Sequence, residues 1–175
     1  MFLEVADAIC ITTNGFIKKD GNAVLGRGTA LYASKAWYGI AHILGAKLAK
    51  KGNNVFVLTH QLPNGLNYFK LPRKAEPLLV AVPWAVVSFP TKKNWSDPAD
   101  PALIKGSCQQ LWDLVEKKGW QKVLLPKPGC GNGGLSWKKV VRPLLQEIFG
   151  NDERFTIVSN PQQESSSHAT EEKET

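Results

Sequence analysis

The chain has 175 residues, a formal net charge of +7 and 43% hydrophobic residues. That length suits one domain able to bury a core without disulfides or a structural metal, and its longest apolar-rich stretch, Leu78 to Phe89, falls short of the roughly 20 residues a membrane-spanning helix needs. Met1 to Cys10 carries Glu4 and Asp7 but no basic residue, unlike a secretory leader, so the expected location is cytoplasmic and no membrane partner is expected.

Asp7 to Thr13 reads as a buried strand, with Ala8, Ile9, Cys10 and Ile11 in one apolar run. Asn14-Gly15 and Lys18 to Gly28 follow as a polar, glycine-bearing loop. Ala30, Ala33, Trp37, Ile40, Leu44 and Leu48 then recur at helical spacing and predict one helix from about Thr29 to Lys51, ended by Gly52. Val55 to Thr59 is a second strand. Residues 61–77 have no period and read as loop. Leu78 to Phe89 predicts one or two strands, broken or edged at Pro83, and Pro90 to Pro101 a loop. Asp100-Pro101 is an N-cap followed by a first-turn proline. The helix it opens carries Ile104, Cys108, Leu111 and Val115 on one face and closes at Gly119. Lys122 to Leu125 is a strand, Pro126 to Leu135 a glycine-rich loop, and Ser136 caps a helix reaching Phe149. Phe155 to Val158 is the last strand. Buried strands alternating with amphipathic helices predict a layered α/β sandwich with helices on both faces. This gives a domain over 1–158 and a polar, disordered tail over 159–175, where four glutamates face one lysine.

Cys10, Cys108 and Cys130 are odd in number and widely spaced, and His42, His60 and His168 sit far from them in sequence. The expectation is free thiols in a reducing compartment and no metal site. The basic body suits either a solvated surface or a polyanionic partner such as nucleic acid.

Two glycine-rich loops each open a helix: Gly26-Arg27-Gly28, and Gly129-Cys130-Gly131-Asn132-Gly133-Gly134. Such loops serve as tight connections, or bring backbone N–H groups and a helix N-terminus against phosphate oxygens. Two in one small domain could clamp a diphosphate from both sides. No GK[ST] sequence marks a P-loop. The second loop matches GxGxxG but lies too near the C-terminus to be followed by the second half of a dinucleotide fold.

Four segments carry a specific resemblance. Asp7 to Asn14 (DAICITTN) resembles the macrodomain pattern DAIVNAAN. Gly26 to Leu31 (GRGTAL) resembles GKGIAL, Phe89 to Trp95 (FPTKKNW) resembles FPTKxHW, and Leu125 to Trp137 (LPKPGCGNGGLSW) resembles LPPLGCGxGGLDW. The chain is thereby similar to the macrodomain family. Its branch is that of the DarG antitoxins, which remove ADP-ribose from thymidine in DNA, and of the related terminal ADP-ribose protein glycohydrolase. The resemblance runs in order from Asp7 to Val158. It implies a three-layer α/β/α sandwich with a mixed central sheet, ADP-ribose as ligand and no cofactor. It also implies ADP-ribosylated single-stranded DNA or protein as substrate and a cognate ADP-ribosyltransferase as partner.

Carried over residue by residue, the resemblance puts Asp7 on the adenine amino group with Ala8 and Ile9 beside it, and Asn14 near the distal ribose. Gly26, Arg27, Gly28 and Thr29 line one side of the diphosphate. Gly129, Cys130, Gly131, Asn132, Gly133, Gly134 and Leu135 line the other, with Pro90 and Thr91 adjoining. Lys92 takes the place of the branch's nucleophile, whose amine attacks the anomeric carbon; its pKa would be depressed by burial or by Lys93. As isolated residues, Asp7 also reads as a surface carboxylate, Asn14 as a turn former and Lys92 as a solvated lysine. Ser136, Asn94 and Ile11 depart from the branch's Asp, His and first Asn. The alternatives to a hydrolase are a non-catalytic ADP-ribose reader and a binder of another nucleotide or RNA.

Overall fold

The computed structural model describes residues 6–60 and 85–159. Five strands form one sheet in the order β2-β3-β1-β4-β5: β1 (Ala8–Asn14), β2 (Phe56–His60), β3 (Ala85–Lys92), β4 (Val123–Pro126) and β5 (Phe155–Val158). β1 pairs in parallel with β3 and β4, and β4 with β5, whereas β2 runs antiparallel to β3. The sheet is therefore mixed.

Strand alternation splits the core in two. Ala8, Cys10, Val87 and Phe89 point into one cluster with Ile104, Cys108, Leu111 and Val115 of α3 (Pro101–Lys118) and Leu145 of α4 (Arg142–Phe149). Ile9, Ile11 and Val86 point the other way, onto Ala30 and Ala33 of α1 (Gly28–Ala36) and Ile40, Leu44 and Leu48 of α2 (Ile40–Lys51). A strand buried on both faces reads as a continuous apolar run, which is what the sequence shows at Ala8 to Ile11. The architecture is a three-layer α/β/α sandwich.

Several boundaries differ from the sequence expectation. The single helix over Thr29–Lys51 is two helices. Trp37 turns extended (φ −120°, ψ 108°) and Gly39 takes φ +80°, a left-handed value glycine reaches at little cost. All six residues of the apolar stripe remain buried across the break, so periodicity alone does not reveal it. β3 runs on through Pro90 to Lys92, where a loop was expected. Proline fits because the β2 ladder ends at Phe56↔Ser88, leaving Pro90 paired only with Thr13 of β1. The helix expected from Ser136 begins with a wide π-type turn, Trp137–Val141, in which Val141 N–H donates to the Ser136 carbonyl at 3.1 Å. Pro143 in the next turn has no N–H to give the Lys139 carbonyl, so a regular α-turn cannot close there. The expected loop over 61–77, the strand residues 78–84 and tail residues 160–175 lie outside the described residues.

The α3 signals act as read. Asp100 accepts from Ala102 N–H at 2.9 Å and Leu103 N–H at 3.3 Å, a cap of about 1 kcal/mol. Gly119 closes the helix at φ +65°. No helix among the described residues is long and apolar enough to cross a membrane.

Candidate functional site

The carboxyl ends of the parallel strands β1, β3 and β4 open onto a cleft of about 570 Å³. Thr12, Thr13 and Asn14 reach it from β1, Thr91 and Lys92 from β3, and Pro126 and Lys127 from β4. In an α/β sheet this end is where loops and helix N-termini converge on a ligand.

One wall is the segment Gly26 to Ala30. Its approach is fixed from behind. Ala23 N–H donates to the Ala41 carbonyl at 2.9 Å, and a Cβ on Gly45 of α2 would stand 1.9 Å from the Gly21 carbonyl oxygen. The Thr29 hydroxyl accepts from Thr12 N–H at 3.2 Å and lies 3.3 Å from the Thr12 hydroxyl, pinning the start of α1 to the end of β1. No side chain caps α1 and its first turn holds no acid, so its free N–H groups stand available to an anion.

The opposite wall is the second glycine loop, folded tightly on itself. Leu135 N–H donates to the Gly129 carbonyl at 3.0 Å, Gly134 N–H to the Gly131 carbonyl at 3.1 Å, and the Gly133 carbonyl accepts from Ala99 N–H at 3.0 Å. A Cβ on Gly133 would meet the Gly129 oxygen at 2.4 Å. Asn132 joins the two walls. Its side-chain oxygen accepts from Arg27 Nη1 at 3.2 Å, and its backbone oxygen accepts from Lys92 Nζ at 2.8 Å.

Among the described lining residues are three cations, Arg27, Lys92 and Lys127, and no carboxylate, thiol or imidazole. That donor set suits an anion and does not suit a metal ion. Lys127 also lies 5.4 Å from the Trp137 ring centre. The Thr13 hydroxyl is buried with no hydrogen-bond partner among the described residues.

The structure brings Asn14, Gly26, Arg27, Gly28, Thr29, Thr91, Lys92, Gly129, Gly131, Asn132 and Gly133 to this cleft. Asn14 is already engaged, its amide donating to the Val24 carbonyl and its oxygen accepting from Phe16 N–H, both at 3.0 Å. Lys93, cited beside Lys92 for its charge, stands 3.8 Å from Asp100.

Asp7, Ala8 and Ile9, expected to contact the ligand, do not line this cleft. They lie at the opposite, N-terminal end of β1. The Asp7 carboxylate accepts from Gln121 N–H at 2.6 Å and Lys122 N–H at 2.9 Å, which anchors the turn before β4. Ala8 and Ile9 are fully buried, one on each face of the sheet. Pro90, Cys130, Gly134 and Leu135 also stand back from the lining. The Pro90 carbonyl accepts from the buried Ser107 hydroxyl at 2.8 Å. Leu135 packs against the α3–α4 core, and Gly134 supplies a turn at φ +75°. Cys130 is half-buried, and desolvation pushes its thiol up to about 11 despite nearby Lys127, so it is no nucleophile at neutral pH. The three cysteines are unpaired.

Sequence reasoning missed Thr12, Thr13, Val24, Ala30, Trp95, Ser96, Pro126 and Lys127. Thr12, Thr13 and Pro126, with Lys127 next to it, follow from one rule, that the last residues of each parallel strand face the ligand end. Ser136, which stands where the branch has an acid, caps the turn after the loop by accepting from Lys139 N–H at 3.2 Å.

No family model matches the chain. The "DNA ADP-ribosyl glycohydrolase" of Mycobacterium tuberculosis is 35% identical over 63 residues, 36% of this chain and 18% of the relative. A "DNA ADP-ribosyl transferase-DNA ADP-ribosyl glycohydrolase fusion protein" of Thermosipho africanus is 33% identical over 57 residues, 33% of this chain and 14% of the relative. The chain thus matches less than a fifth of either curated relative. Among solved structures, the macrodomain of Mycobacterium tuberculosis DarG aligns with TM-score 0.68 and 23% identity, covering 92% of this chain and 93% of that one. Thermosipho africanus DarTG in complex with ADP-ribose aligns with TM-score 0.66 and 18% identity, covering 90% of this chain and 39% of that one. The sandwich has the macrodomain fold, and its likeness runs to the DarG branch.

Proposed function

We propose that this macrodomain-fold chain binds ADP-ribose and releases it from ADP-ribosylated DNA, with Lys92 as the nucleophile. The observation that carries the reading is the cleft, whose described lining holds three cations and no acid between an uncapped helix N-terminus and a tight glycine loop. A diphosphate between these walls meets backbone N–H groups from both sides and Arg27 at the joint. The macrodomain relatives' names and the ADP-ribose-bound neighbour support the same ligand.

Lys92 leaves the sheet at the end of β3, with its amine at the far side of the cleft against Asn132. The amine there attacks the anomeric carbon of the distal ribose. The bond to the modified base breaks, and its electron pair leaves with the base, which takes up a proton. Water then displaces the lysine and frees ADP-ribose. The Asn132 carbonyl accepts a hydrogen bond from that amine, and the described lining holds no carboxylate. The proton the lysine gives up balances the one the departing base takes up. The modification removed is one laid down by a DNA ADP-ribosyltransferase, the activity joined to the glycohydrolase in the fusion relative's name. Single-stranded DNA is the substrate assigned in this reading.

Calorimetry tests the binding half. ADP-ribose binds at least tenfold tighter than AMP, because both phosphates and the second ribose are engaged. Equal affinities contradict the two-wall clamp. A protein that binds ADP-ribose yet releases none from modified DNA is a binding module.

A further inference from the structure

We infer that Trp95 is the stacking platform for the nucleobase that carries ADP-ribose, and so selects base-linked over carboxylate-linked substrates. The inference rests on the reading of the cleft as an ADP-ribosyl-DNA site.

Trp95 is set apart from the other described tryptophans. Trp37 is buried in the α1–α2 core, and Trp112, Trp120 and Trp137 pack against the α3–α4 core. Trp95 belongs to neither cluster, is 57% exposed and forms part of the cleft wall. An indole left in water forfeits most of the stabilisation its burial brings, and the core does not require it at this position.

Its mounting is rigid. Trp95 is the second residue of a turn in which Asp97 N–H donates to the Asn94 carbonyl at 3.2 Å, while the Asp97 carboxylate accepts from Asn94 N–H at 2.9 Å. The turn is held on both flanks. Gly15 N–H donates to the Lys93 carbonyl at 3.1 Å, and Asp100 N–H to the Thr91 carbonyl at 2.9 Å. A large flat side chain on a doubly anchored turn offers stacking area at low entropic cost.

Its place in the cleft names the occupant. Trp95 follows Lys92 by three residues, and both line the one cleft. The group beside the reacting carbon is the leaving group. A nucleobase has a π-face to lay on the indole, and such stacking accepts any base. An ester-linked carboxylate offers no ring.

The test compares wild type, Trp95→Phe and Trp95→Ala, each with a checked melting temperature. Three quantities are measured: affinity for free ADP-ribose, and kcat and KM for an ADP-ribosylated single-stranded oligonucleotide. Trp95→Ala leaves ADP-ribose affinity within about twofold and raises KM roughly 5- to 150-fold, the loss of one stacked base. Trp95→Phe, which keeps an aromatic face, recovers most of it. An unchanged KM in Trp95→Ala overturns the inference, as does a parallel loss of free ADP-ribose affinity, which would place the indole on ADP-ribose itself. A wild type unable to release ADP-ribose from the oligonucleotide overturns the functional reading, and the inference with it. An active wild type with an indifferent Trp95→Ala overturns the inference alone.

Discussion

Arg27 Nη1 donates to the side-chain oxygen of Asn132 at 3.2 Å, bridging two loops 105 residues apart across the mouth of the cleft. The bond is exposed, so its net worth to the free protein is small. Its consequence is to hold a guanidinium where a diphosphate would enter. Arg27→Ala is expected to weaken ADP-ribose binding about 10- to 100-fold, the range of a charge-assisted hydrogen bond. The loss shrinks as salt is raised. Asn132→Ala removes only the partner and leaves affinity within about threefold. Calorimetry at low and high salt checks both, and an Arg27→Ala protein of wild-type affinity would remove Arg27 from the site.

Glycines in the two walls are needed for different reasons. A methyl on Gly133 would stand 2.4 Å from the Gly129 oxygen and 2.6 Å from Ala99 Cβ, so Gly133→Ala must distort the loop. We expect a loss of about 1–3 kcal/mol of stability together with weaker ligand binding. Gly26 is the contrast. Its φ is not left-handed, and a Cβ there meets nothing within 4 Å, although the residue lines the cleft. Gly26→Ala is expected to keep the wild-type melting temperature while lowering ADP-ribose affinity. If thermal scans show Gly26→Ala destabilised and binding intact, that glycine serves the turn and not the ligand.

Asp7 is expected to matter for folding alone. Its carboxylate holds two backbone N–H groups ahead of β4. Asp7→Ala should cost about 1–2 kcal/mol in denaturant unfolding and leave ADP-ribose affinity unchanged. A selective loss of affinity would restore the adenine-binding role.

That residue also shows where legibility in the sequence stopped. The strand at Ala8 to Ile11 was plain, because a run buried on both faces carries its own signature. Which end of the strand faces the ligand depends on the strands beside it, and Asp7 stood at the other end. The helix from Asp100-Pro101 to Gly119 was readable because its start and stop signals are both local. The break at Gly39 was not, because the apolar stripe keeps its period across it. Pro90 argued for a loop because the end of the β2 ladder, which lets a proline stay in β3, is a tertiary fact. The two glycine loops were legible as cleft walls from local composition and from the motif resemblance. Lys127 and Trp95 fell within quoted motifs, yet nothing in their spacing says that they share a cleft with Arg27.

The account turns on Lys92, and one comparison tests it most directly: ADP-ribose released from an ADP-ribosylated single-stranded oligonucleotide by wild type and by Lys92→Ala. The amine is proposed to act on the reacting carbon and not on the adenine or the diphosphate. The account therefore predicts release by wild type, a fall of several orders of magnitude in Lys92→Ala, and ADP-ribose affinity largely retained in the variant by calorimetry. Release by Lys92→Ala within tenfold of wild type would contradict the account.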